Sequence, residues 1–281
     1  MKTKVFLALT AAGILALTGC KNHINDYDNY YDTTPPREPS NVKVLALNSE
    51  VEITWDRVSD SDVAGYNVYW AYEYNGRYTL LGTTRNDYFI DGGNEGPENG
   101  VKYFYAVAAY DYEGNESELS GSYAFGIPRP DGFNVSLYEY TMYPAKGGFD
   151  FSEYSVVNYN AETTDFFLEL YDGKWYLDVW QDSDIKDMGA TSSIIDIASA
   201  PVSGYVPLYE GDNIKYTEAI AGHTYVIRTW DDHFAKVRIK QVAADRIIFD
   251  WAYQLIPGER LLKEGFKTAR TFKPVSVKAI R

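Results

Sequence analysis

Apolar residues at every second position recur along this chain and restrict it to strands. Val51, Ile53 and Trp55 alternate with Glu52 and Thr54. Tyr66, Val68 and Trp70 form a second row, and Tyr103, Tyr105, Val107 and Ala109 a third. Successive side chains of a strand point to opposite faces, so each row is one inward face. Polar turns separate the rows at the spacing of a β-sandwich. The chain is therefore expected to be all-β: one sandwich over 39–126, a Pro/Gly linker over 127–132, and a second antiparallel β domain over 133–281. The linker, Ile127-Pro128-Arg129-Pro130-Asp131-Gly132, is expected to be semi-rigid. The best short helix candidate is Glu259 to Glu264.

Ahead of these domains, two lysines in Met1-Lys2-Thr3-Lys4 precede an apolar run from Val5 to Leu17. This is the plan of a signal peptide, spanning 1–19. The run is too short to cross a hydrocarbon core of roughly 30 Å as a helix. Leu17-Thr18-Gly19-Cys20 resembles a lipobox, the cleavage and acylation motif of bacterial lipoproteins. The resemblance implies cleavage before Cys20, diacylglycerol on its thiol, membrane lipid as a partner, and a place in the cell envelope. Lys21 in place of aspartate resembles lipoproteins that leave the inner membrane, which implies the outer membrane. Residues 20–38 hold the cysteine and a flexible acidic tether with no apolar period. Such a tether reaches about 25 Å.

Cys20 is the only cysteine, which excludes internal disulfides, thiolate metal clusters and thiol nucleophiles. A formal charge of −14 opposes nucleic-acid binding. It also repels anionic lipid, so the folded body is expected to stand off the membrane.

The first sandwich resembles a fibronectin type III domain. The resemblance rests on Pro39 before the first strand, Trp55 closing the second, Ala64-Gly65-Tyr66-Asn67-Val68-Tyr69, Gly100-Val101-Lys102-Tyr103, Tyr105 to Ala109, and the hairpin Asp111 to Ser117. It implies structural roles for Trp55 in the core and for Tyr103 as the tyrosine corner, whose hydroxyl binds backbone upstream. The fold defines no ligand, since it serves spacers and receptors alike.

In the second domain, Asp172-Gly173 suits a two-residue hairpin turn between 165–171 and 174–180. Asp231-Asp232 is placed the same way between 224–230 and 233–242, with 246–253 as a third strand. Thr224 to Ile239 with Ile248 to Gln254 resembles the HmuY-like β-rich lipoproteins that capture haem. The paired histidine ligands of part of that family have no counterpart, so haem is not carried over. In the hairpin register His223 and His233 stand roughly 25 Å apart, too far to share a metal. His23 lies in the tether. Asp182, Asp184 and Asp187 before Gly189 depart from the calcium-loop spacing and read as a solvated acidic loop. No metal or cofactor is expected.

No Gly-x-Ser-x-Gly elbow or triad context occurs, and no catalytic residue is assigned. The aromatic excess is more informative. Trp175, Trp180, Trp230 and Trp251 are candidate ligand-binding residues that could form a stacking platform, although core packing and cross-strand pairing explain the same positions. Trp175 and Trp180 differ by an odd number, so at least one must point away from the core. The basic stretch from Arg260 to Arg281 reads as edge-strand charge or as a docking segment. The expectation is a non-catalytic envelope lipoprotein for binding or display, with a protein or carbohydrate partner. Ligand capture of haem or carbohydrate is the alternative, followed by a carbohydrate-active enzyme.

Overall fold

The computed structural model describes residues 32–262 and 265–267. The segment 1–19 expected to be a signal peptide, Cys20, His23 and most of the basic C-terminal stretch lie outside the described residues. Strands β1 (Ser40–Leu47), β2 (Glu50–Asp56), β3 (Val63–Ala71), β4 (Thr79–Thr84), β5 (Tyr88–Asp91), β6 (Tyr103–Asp111) and β7 (Tyr123–Gly126) build the first sandwich. β1-β2-β5 form one sheet and β4-β3-β6-β7 the other, all antiparallel. This is the architecture of a fibronectin type III-like domain. Between the sheets, Val51, Ile53 and Trp55 meet Tyr66, Val68, Tyr105 and Val107 in one core. Trp55 packs edge-on against Tyr66 at 5.3 Å between ring centres. The Tyr103 hydroxyl accepts from the Glu98 N–H at 3.0 Å, the geometry of a tyrosine corner.

The second sandwich contains β8 (Asp131–Tyr138), β9 (Gly148–Asp150), β10 (Ser155–Val157), β11 (Phe166–Tyr171), β12 (Lys174–Trp180), β13 (Asp184–Ala190), β14 (Ile214–Glu218), β15 (His223–Arg228), β16 (Phe234–Val242) and β17 (Arg246–Tyr253). Its sheets run β10-β9-β11-β12-β14 and β13-β15-β16-β17-β8. Phe149, Phe166 and Leu177 from one sheet, with Phe151 just past β9, pack in one core with Tyr225, Val237, Phe249 and Trp251 from the other. Asp172 and Gly173 both have positive φ, 47° and 74°, which is the type I′ turn that matches strand twist. The β15–β16–β17 meander forms as expected, but Arg228 pairs with Phe234, so the β15–β16 turn takes the five residues 229–233 and the register lies one residue away from that of a two-residue Asp231-Asp232 turn.

Residues 127–130 are not an exposed spacer. Ile127 and Arg129 are buried, the Arg129 N–H donates to the Leu47 carbonyl at 3.1 Å, and the Pro128 carbonyl accepts from Gly100 at 2.7 Å. Asp131 and Gly132 already belong to β8. The joint is buried because β6 has two apolar faces. Phe104, Ala106 and Ala108 point away from the sandwich core into a second cluster with Ala71, Leu119, Phe125 and Ile127. Ile256 and Leu261, which follow β17, pack onto that cluster and tie the two sandwiches together. The Arg129 guanidinium adds a bond to the Leu262 carbonyl.

The helix expected from Glu259 is absent over the described residues. Gly258 turns the chain at φ 71°, and the following backbone is extended, bridging Leu261 to Ser199 and Leu262 to Ala198. The backbone of β18 (Gly265–Lys267) then pairs with β7, adding a strand to the first sandwich.

Candidate functional site

The register of β11, β12 and β14 places Phe167, Asp178 and Tyr216 in one cross-strand row, and Glu169, Tyr176 and Glu218 in the next. Alternation sends Phe166, Leu168, Leu177 and Val179 into the core. The opposite parity, with Trp180, faces outward. Rings crowd this outer face: Trp180 lies 5.1 Å from Phe167, and Tyr176 meets Tyr216 edge-on at 5.6 Å. Tyr140, just beyond β8, extends the group toward Phe167 at 5.6 Å and Tyr159 at 4.6 Å.

Asp178 sits at the centre of these rings. It lies on the outward face, yet its exposure is 0%. Phe167 and Tyr216 flank it across the strands, and Tyr176 and Trp180 flank it along its own. Neither carboxyl oxygen has a hydrogen-bond partner. Burial, reinforced by the charge of Glu169, pushes its pKa up to about 8, so it is a neutral acid at pH 7. Glu169 is also raised, mainly by burial, and accepts a long bond of 3.5 Å from the Tyr140 hydroxyl. Rim residues stay open: Tyr216 is 44% exposed. The arrangement offers ring faces for stacking and a carboxyl group below them for polar recognition.

Of the four candidate tryptophans, only Trp180 belongs to this face. Trp251 is a core residue, stacked on Tyr154 and tilted against Phe149, because its parity on β17 is the inward one. Trp175 has the inward parity on β12 and packs against the same core at its margin. Trp230 is 60% exposed in the turn between β15 and β16, on the other sheet. The four therefore do not form one platform. Tyr176, Asp178 and Trp180 share one parity in Lys174-Trp175-Tyr176-Leu177-Asp178-Val179-Trp180, and an acid alternating with rings is the signal that was available. Tyr216 had none, because β14 joins β12 across a long stretch of chain.

The histidines are separated. His223 is held by Asp187, Nδ1 to Oδ2 2.9 Å, whereas His233 lies beside Asp231 and Tyr253 at the other end of the β15–β16 pair. Asp184 and Asp187 lie on β13 and not in a loop, where they engage Lys215 and His223 respectively. No group of three or more metal-binding side chains converges among the described residues. At one end of the sandwich Asp165 is raised to about 7 by burial, against a bond donated by the Phe151 N–H and with the charges of Asp150 and Asp231 adding to the rise. In the first sandwich a cleft of about 350 Å³ is lined by Arg57, Asp60, Arg85 and Tyr112. Asp60 there is already paired with Arg37.

A second tyrosine closes the second sandwich. The Tyr225 hydroxyl accepts from the Ile220 N–H at 2.8 Å and donates to the Glu218 carbonyl at 2.7 Å, where the chain passes from β14 in one sheet to β15 in the other. This repeats the corner geometry of Tyr103, and the sequence reading did not single it out.

No protein-family model matches the chain. A stretch of 99 residues, 33% of the chain, is 39% identical to amylopullulanase from Thermoanaerobacterium saccharolyticum and covers 7% of it. A stretch of 93 residues is 34% identical to amylopullulanase from Thermoanaerobacterium thermosulfurigenes, covering 5%. The chain thus spans a small fraction of these curated relatives. Among solved structures, an Fn3-like protein from Clostridium thermocellum overlays 31% of this chain and 88% of its own length, with 24% identity and a TM-score of 0.27. A DUF4466 family protein from Parabacteroides merdae overlays 74% of this chain and 93% of its own length, with 8% identity and a TM-score of 0.36.

Proposed function

We propose that this chain is a non-catalytic saccharide-binding lipoprotein of the cell envelope, anchored in the outer membrane through acylated Cys20. The observation that carries the binding reading is the outer face of β11–β12–β14. There Trp180, Tyr176 and Tyr216 surround a buried, unpartnered Asp178. Sugar rings offer flat C–H faces to aromatic side chains and hydroxyls to a carboxyl group, so both parts of the face have a use. The segments shared with amylopullulanases agree with a carbohydrate setting. The fibronectin type III-like sandwich serves as the spacer that carries the binding sandwich.

Affinity electrophoresis through gels containing α-glucan, β-glucan or amino-sugar polymers tests the reading. The wild-type protein should be retarded in at least one gel. Trp180→Ala with Tyr216→Ala should restore free mobility, and Trp230→Ala should not. Equal retardation of the double variant, or no retardation in any gel, would contradict it.

A further inference from the structure

Three carboxyl groups lie on or under the outer face of β11–β12–β14, and they are not equally neutralised. Glu218 is paired with Lys174 at 3.0 Å. Glu169 and Asp178 meet no ammonium or guanidinium group: neither enters an ion pair among the described residues, and Asp178 has no polar partner at all. Glu139, buried nearby, is satisfied by the Thr141 N–H and hydroxyl and by the Met142 N–H. The other titratable neighbours are the phenols of Tyr140, Tyr159, Tyr171, Tyr176 and Tyr216. Lys215 of β14 is committed to Asp184 and the Ser183 carbonyl.

The face therefore combines electron-rich rings, whose faces are negative, with two acids lacking a counter-charge. That is the chemistry that recognises a cation. A neutral sugar would use the rings and its hydroxyls would hydrogen-bond the acids, but it would give Glu169, and Asp178 once ionised, no counter-charge. A buried carboxyl group without a partner is costly unless something else satisfies it.

We infer that the ligand of this face carries a protonated amine: an amino sugar whose ring stacks on Trp180 and Tyr216 while its ammonium group sits between Glu169 and Asp178. The inference rests on the saccharide reading and narrows it. Because Asp178 is fully covered, one of its flanking rings must turn aside to admit the ammonium group. An Asp178 that is neutral before binding becomes a carboxylate facing the ammonium ion, and its proton passes to solvent.

Calorimetric titration of the full chain near pH 6.5, in two buffers of different ionisation heat, separates the outcomes. The probes are a glucosamine tetramer, its fully N-acetylated counterpart, a neutral glucose tetramer and methylammonium. The glucosamine tetramer should bind at least about tenfold more tightly than the acetylated one, with proton release. Asp178→Asn should abolish the release, and Glu169→Gln with Asp178→Asn should erase the preference while melting as a folded protein. Equal binding of all three tetramers would overturn the amine inference and leave the saccharide reading standing. Methylammonium binding without binding of any tetramer would sink the saccharide reading and the amino-sugar assignment built on it, leaving only the cation preference. Silence from every probe overturns both.

Discussion

At the scale of single residues, Asp178 makes the strongest demand on the fold. The native chain holds its proton up to about pH 8, whereas an unfolded aspartate loses it at about pH 4. Between those values the native state binds more protons, so stability falls as pH rises, by up to about 1.4 kcal/mol per pH unit, and levels off above. Asp165, raised to about 7, acts with the same sign up to its own value. Asp178→Asn should therefore melt higher than wild type at pH 8.5 and nearly with it at pH 4, as measured by circular dichroism. A wild-type melting temperature that rose steadily from pH 5 to pH 8 would oppose this. Tyr225 is the other residue with a large expected effect. Tyr225→Phe leaves the Ile220 N–H and the Glu218 carbonyl without their partner, and should cost about 1–3 kcal/mol in urea unfolding.

Among the elements, register decides what each side chain does. Gly132 lies opposite Trp251 in the β8–β17 pair, and a Cβ there would come within 2.3 Å of the indole Nε1. Trp251 is locked in the core, so Gly132→Ala should cost about 1–3 kcal/mol by overpacking, measurable by denaturant midpoint. This glycine was read from the sequence as a linker residue, but its smallness serves strand packing. The hairpin at Asp172-Gly173 and the inward rows of the first sandwich were legible, because local turn chemistry and period-2 patterning specify them. The run Tyr103 to Tyr110 carried a further signal: apolar residues of both parities, which mark a strand buried on both faces. The candidate face was half legible. Trp180 was singled out and the outward parity of Asp178 was open in the Lys174–Trp180 run, yet Tyr216 depends on the β12–β14 pairing, which no local pattern encodes. The expected helix at Glu259 failed because Gly258 and the bridges to Ser199 and Ala198 hold the backbone extended.

For the whole molecule, the buried joint at 127–130 and the packing of Ile256 and Leu261 on the first sandwich make the two β-sandwiches one mechanical unit. Calorimetric unfolding should show a single transition, and Ile256→Asp with Leu261→Asp should divide it into two. The proposed anchor has its own test: Cys20→Ala should move the protein from the membrane fraction to the soluble fraction. The central claim is that a saccharide lands on the outer face of β11–β12–β14, and covalent surface footprinting with and without a bound oligosaccharide tests it most directly. Protection is expected to be confined to Phe166–Tyr171, Lys174–Trp180 and Ile214–Glu218. Protection around Trp230 or within the first sandwich, with those three strands unchanged, would contradict it.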